Sequence, residues 1–154
     1  MSTFSTESIL RAIRQRALTF SALGGSTVAT LLGSRWYQVQ PPDTVTYPYV
    51  TMTVLDRVKT GEYNGRREEW QVELQFVGRP RSALNALERI ADVVDEAFLA
   101  WADPSSGLIF TRGERSRTQL PPFELPADRE VCRVRSVFTF IIWPRFLTQY
   151  DVAS

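Results

Sequence analysis

Residues 68–77 read EEWQVELQFV, and this stretch is the strongest indication of the fold because polar and apolar side chains alternate without interruption from Glu69 to Phe76. Strict alternation over this length predicts a β-strand with one buried face and one hydrated face. The apolar side chains share the buried face: Trp70, Val72, Leu74 and Phe76. The polar side chains share the other face: Glu69, Gln71, Glu73 and Gln75. We therefore expect a sheet that other elements cover on one side.

The segment before this strand predicts an antiparallel partner for it. A strand is expected from about Tyr49 to Val58, with Pro48 at its entrance, where a missing N–H is tolerated. Asn64-Gly65 lies between the two strands and is a strong turn signal. The two strands should therefore form a hairpin with a long, charged tip.

Amphipathic spacing and helix-breaking residues place the other elements of this half of the chain. One helix is expected from Thr6 to about Phe20, and a longer helix from Ser82 to about Trp101. A short helix that Ser26 caps and Gly33 ends, followed by a short strand from Arg35 to Gln40, should lie between the first helix and the hairpin.

The stretch after the long helix predicts an arm. Arg112 to Asp128 is polar and contains three prolines, which is typical of a long loop. Within this arm, about residues 103–128, the only regular element expected is a short strand from Leu108 to Thr111. A last strand from Glu130 to Trp143 follows, and residues 145–154 form a polar tail.

The last strand carries a second signal. One of its faces begins with Arg133 and Arg135 and ends with three apolar residues: Val137, Ile141 and Trp143. A face that becomes apolar halfway along predicts that a second layer or a partner subunit covers its apolar end.

This order of elements predicts an α+β domain, with the long helix and the N-terminal helix packed on one face of an antiparallel sheet of about four to five strands. The 154 residues suit a single domain, 1–154, with 44% hydrophobic and 23% charged residues. The net charge of +1 argues against a dedicated nucleic-acid binder. No segment is apolar for long enough to cross a membrane, and we expect the protein to fold in a cytoplasm.

Composition also limits the available chemistry. The chain has no histidine and one cysteine, which removes the commonest metal ligands and the usual base for a serine or cysteine nucleophile. We therefore predict no catalytic residue, no metal and no cofactor. One alternative is a small metal-dependent enzyme that uses Asp92, Asp95 and Glu96, although such helical clusters are more often solvated. Another is a small RNA-binding domain, but Trp70 and Phe76 are expected in the core and not on a stacking platform.

Four stretches form a recognisable pattern: LLGSRWY at 31–37, YPYV at 47–50, WQVELQF at 70–76 and the helical segment from Ala83 to Leu99. Over residues 6–100, the chain resembles the tail-completion or tail-terminator proteins of siphophages and related gene-transfer particles. The resemblance implies a virion structural protein. Such a protein caps the tail tube as an oligomeric ring, commonly a hexamer, and joins the tail to the neck. A head-closure or stopper protein of the neck is the alternative.

The resemblance also implies partners and surfaces. The partners would be copies of the same chain, the tail-tube protein and a neck or head-completion protein. Assembly would take place in the host cytoplasm, and DNA would pass only transiently through the channel at the head–tail junction of the virion. The hairpin tip would contact other subunits or the tube through six residues: Lys59, Glu62, Tyr63, Asn64, Arg66 and Arg67. The channel lining would be Glu69, Gln71, Glu73 and Gln75. The arm contacts would be Arg112, Arg115 and Arg117.

Overall fold

The computed structural model describes residues 5–21, 27–38, 40–42, 44–60, 67–79, 83–120 and 131–144. The described residues form three helices and six strands. The helices are α1 (Thr6–Thr19), α2 (Val28–Leu32) and α3 (Leu84–Ala97). The strands are β1 (Trp36–Gln38), β2 (Tyr49–Thr60), β3 (Arg67–Gly78), β4 (Ala100–Asp103), β5 (Leu108–Leu120) and β6 (Cys132–Pro144). The predicted α+β class is confirmed.

The six strands form one sheet in the order β1-β2-β3-β6-β5-β4. Every neighbouring pair is antiparallel except β1 and β2, which are parallel. The prediction of four to five antiparallel strands is therefore wrong in number and in type. β1 and β2 run in the same direction because the chain between Gln38 and Tyr49 returns to the end of the sheet where β1 began.

One face of the sheet is covered by the helices. The four apolar side chains of β3 have no exposed surface, as their alternation predicts: Trp70, Val72, Leu74 and Phe76. Ile13 of α1 and Leu87 of α3 are equally buried in the same core. Burial of each such side chain stabilises the fold by about 1.5–3 kcal/mol relative to exposure. β3 is therefore a central strand of the sheet and core, and α3 packs on it and on the neighbouring β6.

A β-bulge in β2 changes which of its side chains face the core. The pairing with β3 shifts register between Val54 and Asp56. Beyond this shift, Arg57 lies opposite Trp70 and shares its side of the sheet. The bulge was not predicted, because one extra residue in a strand changes the alternation without leaving a distinctive residue type.

The structure differs most from the prediction in the stretch expected to form an arm. α3 ends at Ala97 instead of Trp101, and the chain turns directly into β4. There the ring of Trp101 stacks on Phe110, with 4.4 Å between ring centroids. β5 extends to Leu120 and pairs with β6 on both sides of a register shift between Arg112 and Arg115, and the rest of the predicted arm, 121–128, lies outside the described residues. This strand looks like a loop in the sequence because several side chains on its covered face are arginines that bind α3.

The remaining boundaries lie close to the predicted ones. Ser5 caps α1 through its hydroxyl. Ser26, the predicted cap of the short helix, lies outside the described residues, and Thr27 caps α2 instead. Gly33 ends α2 at a φ of 66°, which glycine adopts without strain. The predicted polar tail, residues 145–154, also lies outside the described residues. None of the helices that the structure describes is long and apolar enough to cross a membrane.

Candidate interaction surfaces

The side of the sheet opposite the helices carries the predicted polar row, and we call this side the open face. Of the four predicted members, Gln71 is exposed and three are half-buried: Glu69, Glu73 and Gln75. Gln75 Nε2 donates a hydrogen bond to Glu73 Oε1 at 3.1 Å, and Arg135 Nε donates to Glu73 Oε2. All four side chains thus share one surface, and part of their hydrogen-bonding capacity is used within the sheet. Their role as a channel lining stays a prediction.

The open face becomes apolar toward the hairpin. Val58, Glu69 and Ile141 form one row across β2, β3 and β6, and Ile109 of β5 lies opposite Trp143 of β6. Val58 is 48% exposed, and the three other apolar side chains are half-buried. We call Val58, Ile109, Ile141 and Trp143 the apolar end. The described part of the chain leaves this surface partly exposed, which is the condition expected for a face that a partner covers.

The base of the hairpin is held by a buried ion pair. Glu68 is 1% exposed, and Arg57 Nε donates to Glu68 Oε1 at 2.6 Å. Trp70 Nε1 donates to the same oxygen at 3.2 Å, and the guanidinium of Arg57 lies 4.6 Å from the centre of a Trp70 ring. The bulge in β2 permits these contacts, because it turns Arg57 toward the covered face. A buried carboxylate needs this kind of pairing to remain charged.

The predicted contacts of the hairpin tip fall only partly within the described residues. Lys59 lies opposite Glu68 near the end of β2, and Arg67 begins β3. Arg67 Nη2 lies 3.5 Å from Glu69 Oε1 on the open face. The other four predicted contact residues lie outside the described residues: Glu62, Tyr63, Asn64 and Arg66.

An ion-pair seam joins α3 to β5. Its members are three carboxylates of α3 and three arginines of β5: Glu88, Asp92, Asp95, Arg112, Arg115 and Arg117. Asp95 Oδ1 accepts a hydrogen bond from Arg112 and lies 3.0 Å from Nε of Arg115. Arg112 also donates to the backbone carbonyl of Asp95 at 2.8 Å. The arginines predicted as arm contacts therefore lie on a strand and bind a helix of their own chain. Contacts with a partner through them stay a prediction.

Arg117 occupies the other part of the seam. Its Nη1 donates to Asp92 Oδ1 at 2.6 Å and to Glu88 Oε2 at 3.1 Å. Burial by itself lowers the pKa of Arg117, but both carboxylates outweigh burial and leave that pKa above its usual value. Two of the three helix carboxylates considered for a metal, Asp92 and Asp95, thus use their oxygens to bind guanidinium groups. Among the residues that the structure describes, no three His, Cys, Asp or Glu side chains are grouped as a metal site would require.

A cluster of tyrosines and arginines that sequence analysis did not find lies at the other end of the open face. The rings of Tyr37 and Tyr49 are 6.1 Å apart, and those of Tyr47 and Tyr49 are 5.4 Å apart. The guanidinium of Arg79 lies 5.6 Å from the centre of the Tyr47 ring. Arg133 lies in the same row as Tyr49, on the far side of β3. We call these five residues the Arg–Tyr corner.

The environment of the corner is reflected in the pKa of Tyr49. Burial raises this pKa, Tyr47 raises it further, and Arg133 opposes the rise. The five residues are spread from position 37 to position 133, and the pairing of β1 with β2 and of β3 with β6 brings them together. No local sequence pattern marks such a cluster.

This fold, an α+β domain with an open-faced six-stranded sheet, has a counterpart among solved structures. A chain in the virion of a native gene transfer agent (GTA) particle matches it with a TM-score of 0.66 and 16% sequence identity. The match covers 92% of this chain and 99% of that chain. At this identity the likeness shows a shared fold. The sequence matches no family model and no curated protein.

Proposed function

We propose that this chain is a structural protein of a phage or phage-like virion. The observation that carries the proposal is the fold shared with a chain of a gene transfer agent virion, because the match extends over nearly the whole of both chains. A shared local motif, for example one hairpin, would match a much smaller part of each chain. Location in the virion and assembly with other virion proteins are parts of the same proposal.

The finer role that we propose is closure of the tail tube at the head–tail junction by a ring of six copies. The motifs that resemble tail-terminator proteins support this role. They fall on α2 and β1, on the start of β2, on β3 and on α3, which are elements that build the sheet and its cover. The neighbours of the ring would be the tail-tube protein and a neck protein, with assembly in the host cytoplasm.

The surfaces of the chain support assembly with copies of itself. A ring requires two different surfaces on each subunit that complement each other. The apolar end offers one surface, since covering partly exposed apolar area with a partner lowers the free energy of the assembly. The hairpin tip would offer the other. The polar row of β3 would face the channel, where acidic and neutral side chains let DNA slide because they do not bind phosphate.

We also propose that the chain has no catalytic role. The support comes from the absence of histidine in the sequence and from the pairing of the α3 carboxylates with arginines. A divalent-metal titration that showed tight binding, lost in Asp92→Asn, would revive the enzyme alternative.

Mass photometry of the purified protein, alone and mixed with tail-tube protein, tests the ring. We expect a particle six times the mass of the 17.6 kDa chain and association of this particle with tube ends. A protein that stays monomeric and does not associate with tubes would contradict the proposal. Immunogold labelling of virions separates the two neck roles, because labelling at the portal side would favour a head-closure protein.

A further inference from the structure

We infer that the Arg–Tyr corner binds a single strand of nucleic acid. The inference goes beyond the proposed assembly role and does not depend on it. The corner combines positive charge with aromatic rings on a face that the helices leave uncovered. These are the two components that sequence-tolerant recognition of single strands requires.

Arg135, next to the corner on β6, extends its positive charge along the open face. Arg133 and Arg135 are two residues apart on one face of β6, which separates their Cα atoms by about 6.8 Å. Arg79 is exposed just beyond the end of β3. A sugar–phosphate backbone carries its charges at regular intervals, and arginine binds phosphate through paired N–H groups.

The carboxylates of the open face lie mostly away from these arginines. Glu73 is bonded to Arg135, whose side chain is still 40% exposed. The other acidic side chains that the structure describes on this face of β2 and β3, Asp56 and Glu69, lie nearer the hairpin. Apart from Glu73, the acidic groups described on this face of β2 and β3 therefore lie toward the hairpin, and Arg79, Arg133 and Arg135 lie toward the opposite end.

The tyrosines provide a surface for bases. Tyr37 and Tyr49 meet at an interplanar angle of 63°, and Tyr47 and Tyr49 meet at 48°. Neither pair is a parallel stack, so the rings do not cover one another's faces completely. Bases stack on such rings whatever their identity, whereas an acidic peptide would use only the arginines. The rings therefore favour nucleic acid over an acidic protein partner.

Fluorescence anisotropy with a labelled twenty-nucleotide thymidine strand tests the inference on the full-length protein. Three phosphate contacts predict a log–log salt dependence with a slope of about −2. Binding should therefore weaken by about 15- to 20-fold between roughly 50 and 200 mM salt. Binding that is undetectable at the lower salt concentration would overturn the inference.

Two matched double variants locate the site. Arg79→Gln with Arg135→Gln removes two of the three charges proposed to contact phosphate and should reduce the slope to about −0.7, with affinity at low salt at least about tenfold weaker. Arg11→Gln with Arg89→Gln removes the same charge from exposed positions of α1 and α3, and affinity should stay within about twofold. Equal losses in the two variants would overturn the inference. Circular dichroism melting curves confirm that both variants fold.

The aromatic contribution has its own comparison. Tyr47→Leu should weaken binding, and Tyr47→Phe should restore it, because stacking needs the ring and not the hydroxyl. Polyglutamate of similar length serves as the competitor with charge but no bases. Tighter binding of polyglutamate than of the thymidine strand would overturn the inference and assign the corner to an acidic protein. Tighter binding of a duplex of equal length would overturn it as well.

Discussion

Glu68 shows how strongly one side chain at the hairpin base depends on its neighbours. Its carboxylate is 1% exposed and accepts hydrogen bonds from Arg57 and Trp70. Removing one partner of a buried ion pair leaves the other charge uncompensated, which typically costs about 3–5 kcal/mol. Because the side chain of Arg57 is 35% exposed, water compensates part of that cost here.

Glu68→Gln should therefore lower the free energy of unfolding by about 2–3 kcal/mol, measured by urea denaturation at neutral pH. The matched control is Glu69→Gln at the next position, on the open face. Glu69 is 39% exposed and lies 3.5 Å from Arg67, so this change should cost less than about 0.5 kcal/mol. Similar losses in the two variants would show that the ion pair at the hairpin base contributes no special stability.

At the scale of elements, β3 and β5 are held to the helices by different forces. β3 is fixed by apolar side chains that have no contact with water. Much of β5 is held by the ion-pair seam, in which Asp95 forms ion pairs with two arginines. Ion pairs at a partly exposed surface contribute less than apolar burial and are screened by salt. The part of β5 from Arg112 to Arg117 should therefore be held to the helices less stably than β3.

Asp95→Asn should lower the free energy of unfolding by about 1–2 kcal/mol, because Arg112 and Arg115 both lose their charged partner. Asp92→Asn is the matched control. Asp92 is 69% exposed and Asp95 is 17% exposed, so the control should cost at most about 0.5 kcal/mol and should lose this effect in high salt. Urea denaturation at low and high salt measures both changes. A larger loss for Asp92→Asn would contradict the role given to burial in the seam.

At the scale of the whole molecule, the two faces of the sheet have different roles. The covered face holds the core and provides stability. The open face has an apolar end, a polar row and an arginine-rich corner, and it carries the surfaces proposed for assembly and ligand binding. Substitutions on the covered face should therefore affect stability, and substitutions on the open face should affect assembly and ligand binding.

Val58→Asp tests this separation. Val58 is 48% exposed at the apolar end, so the charge should leave the free energy of unfolding of the monomer nearly unchanged and convert the proposed rings into monomers. Mass photometry measures the conversion. Leu99→Asp is the control, since Leu99 is 53% exposed between α3 and β4. Rings that survive Val58→Asp, or are lost equally in Leu99→Asp, would contradict an interface at the apolar end.

Sequence patterns predict the elements whose signals are local. The alternation in β3, the turn before it and the amphipathic spacing of α1 and α3 each lie within about a dozen residues. Such a pattern places apolar side chains on one face of the element. Burial of that face is favourable whichever element covers it, because the hydrophobic effect is not directional. The buried face of β3, the antiparallel pairing of β2 with β3 and the presence of α1 and α3 were therefore predicted, although α3 ends at Ala97 and not at Trp101.

Features that depend on partners distant in sequence are visible only in the tertiary structure. β5 is a strand because β6 pairs with it and because Arg112 and Arg117 find carboxylates on α3, and none of these partners is near it in sequence. The same holds for the parallel pairing of β1 and for the Arg–Tyr corner. Charged and polar contacts need a specific partner at a specific distance, and sequence periodicity does not record which partner the fold supplies.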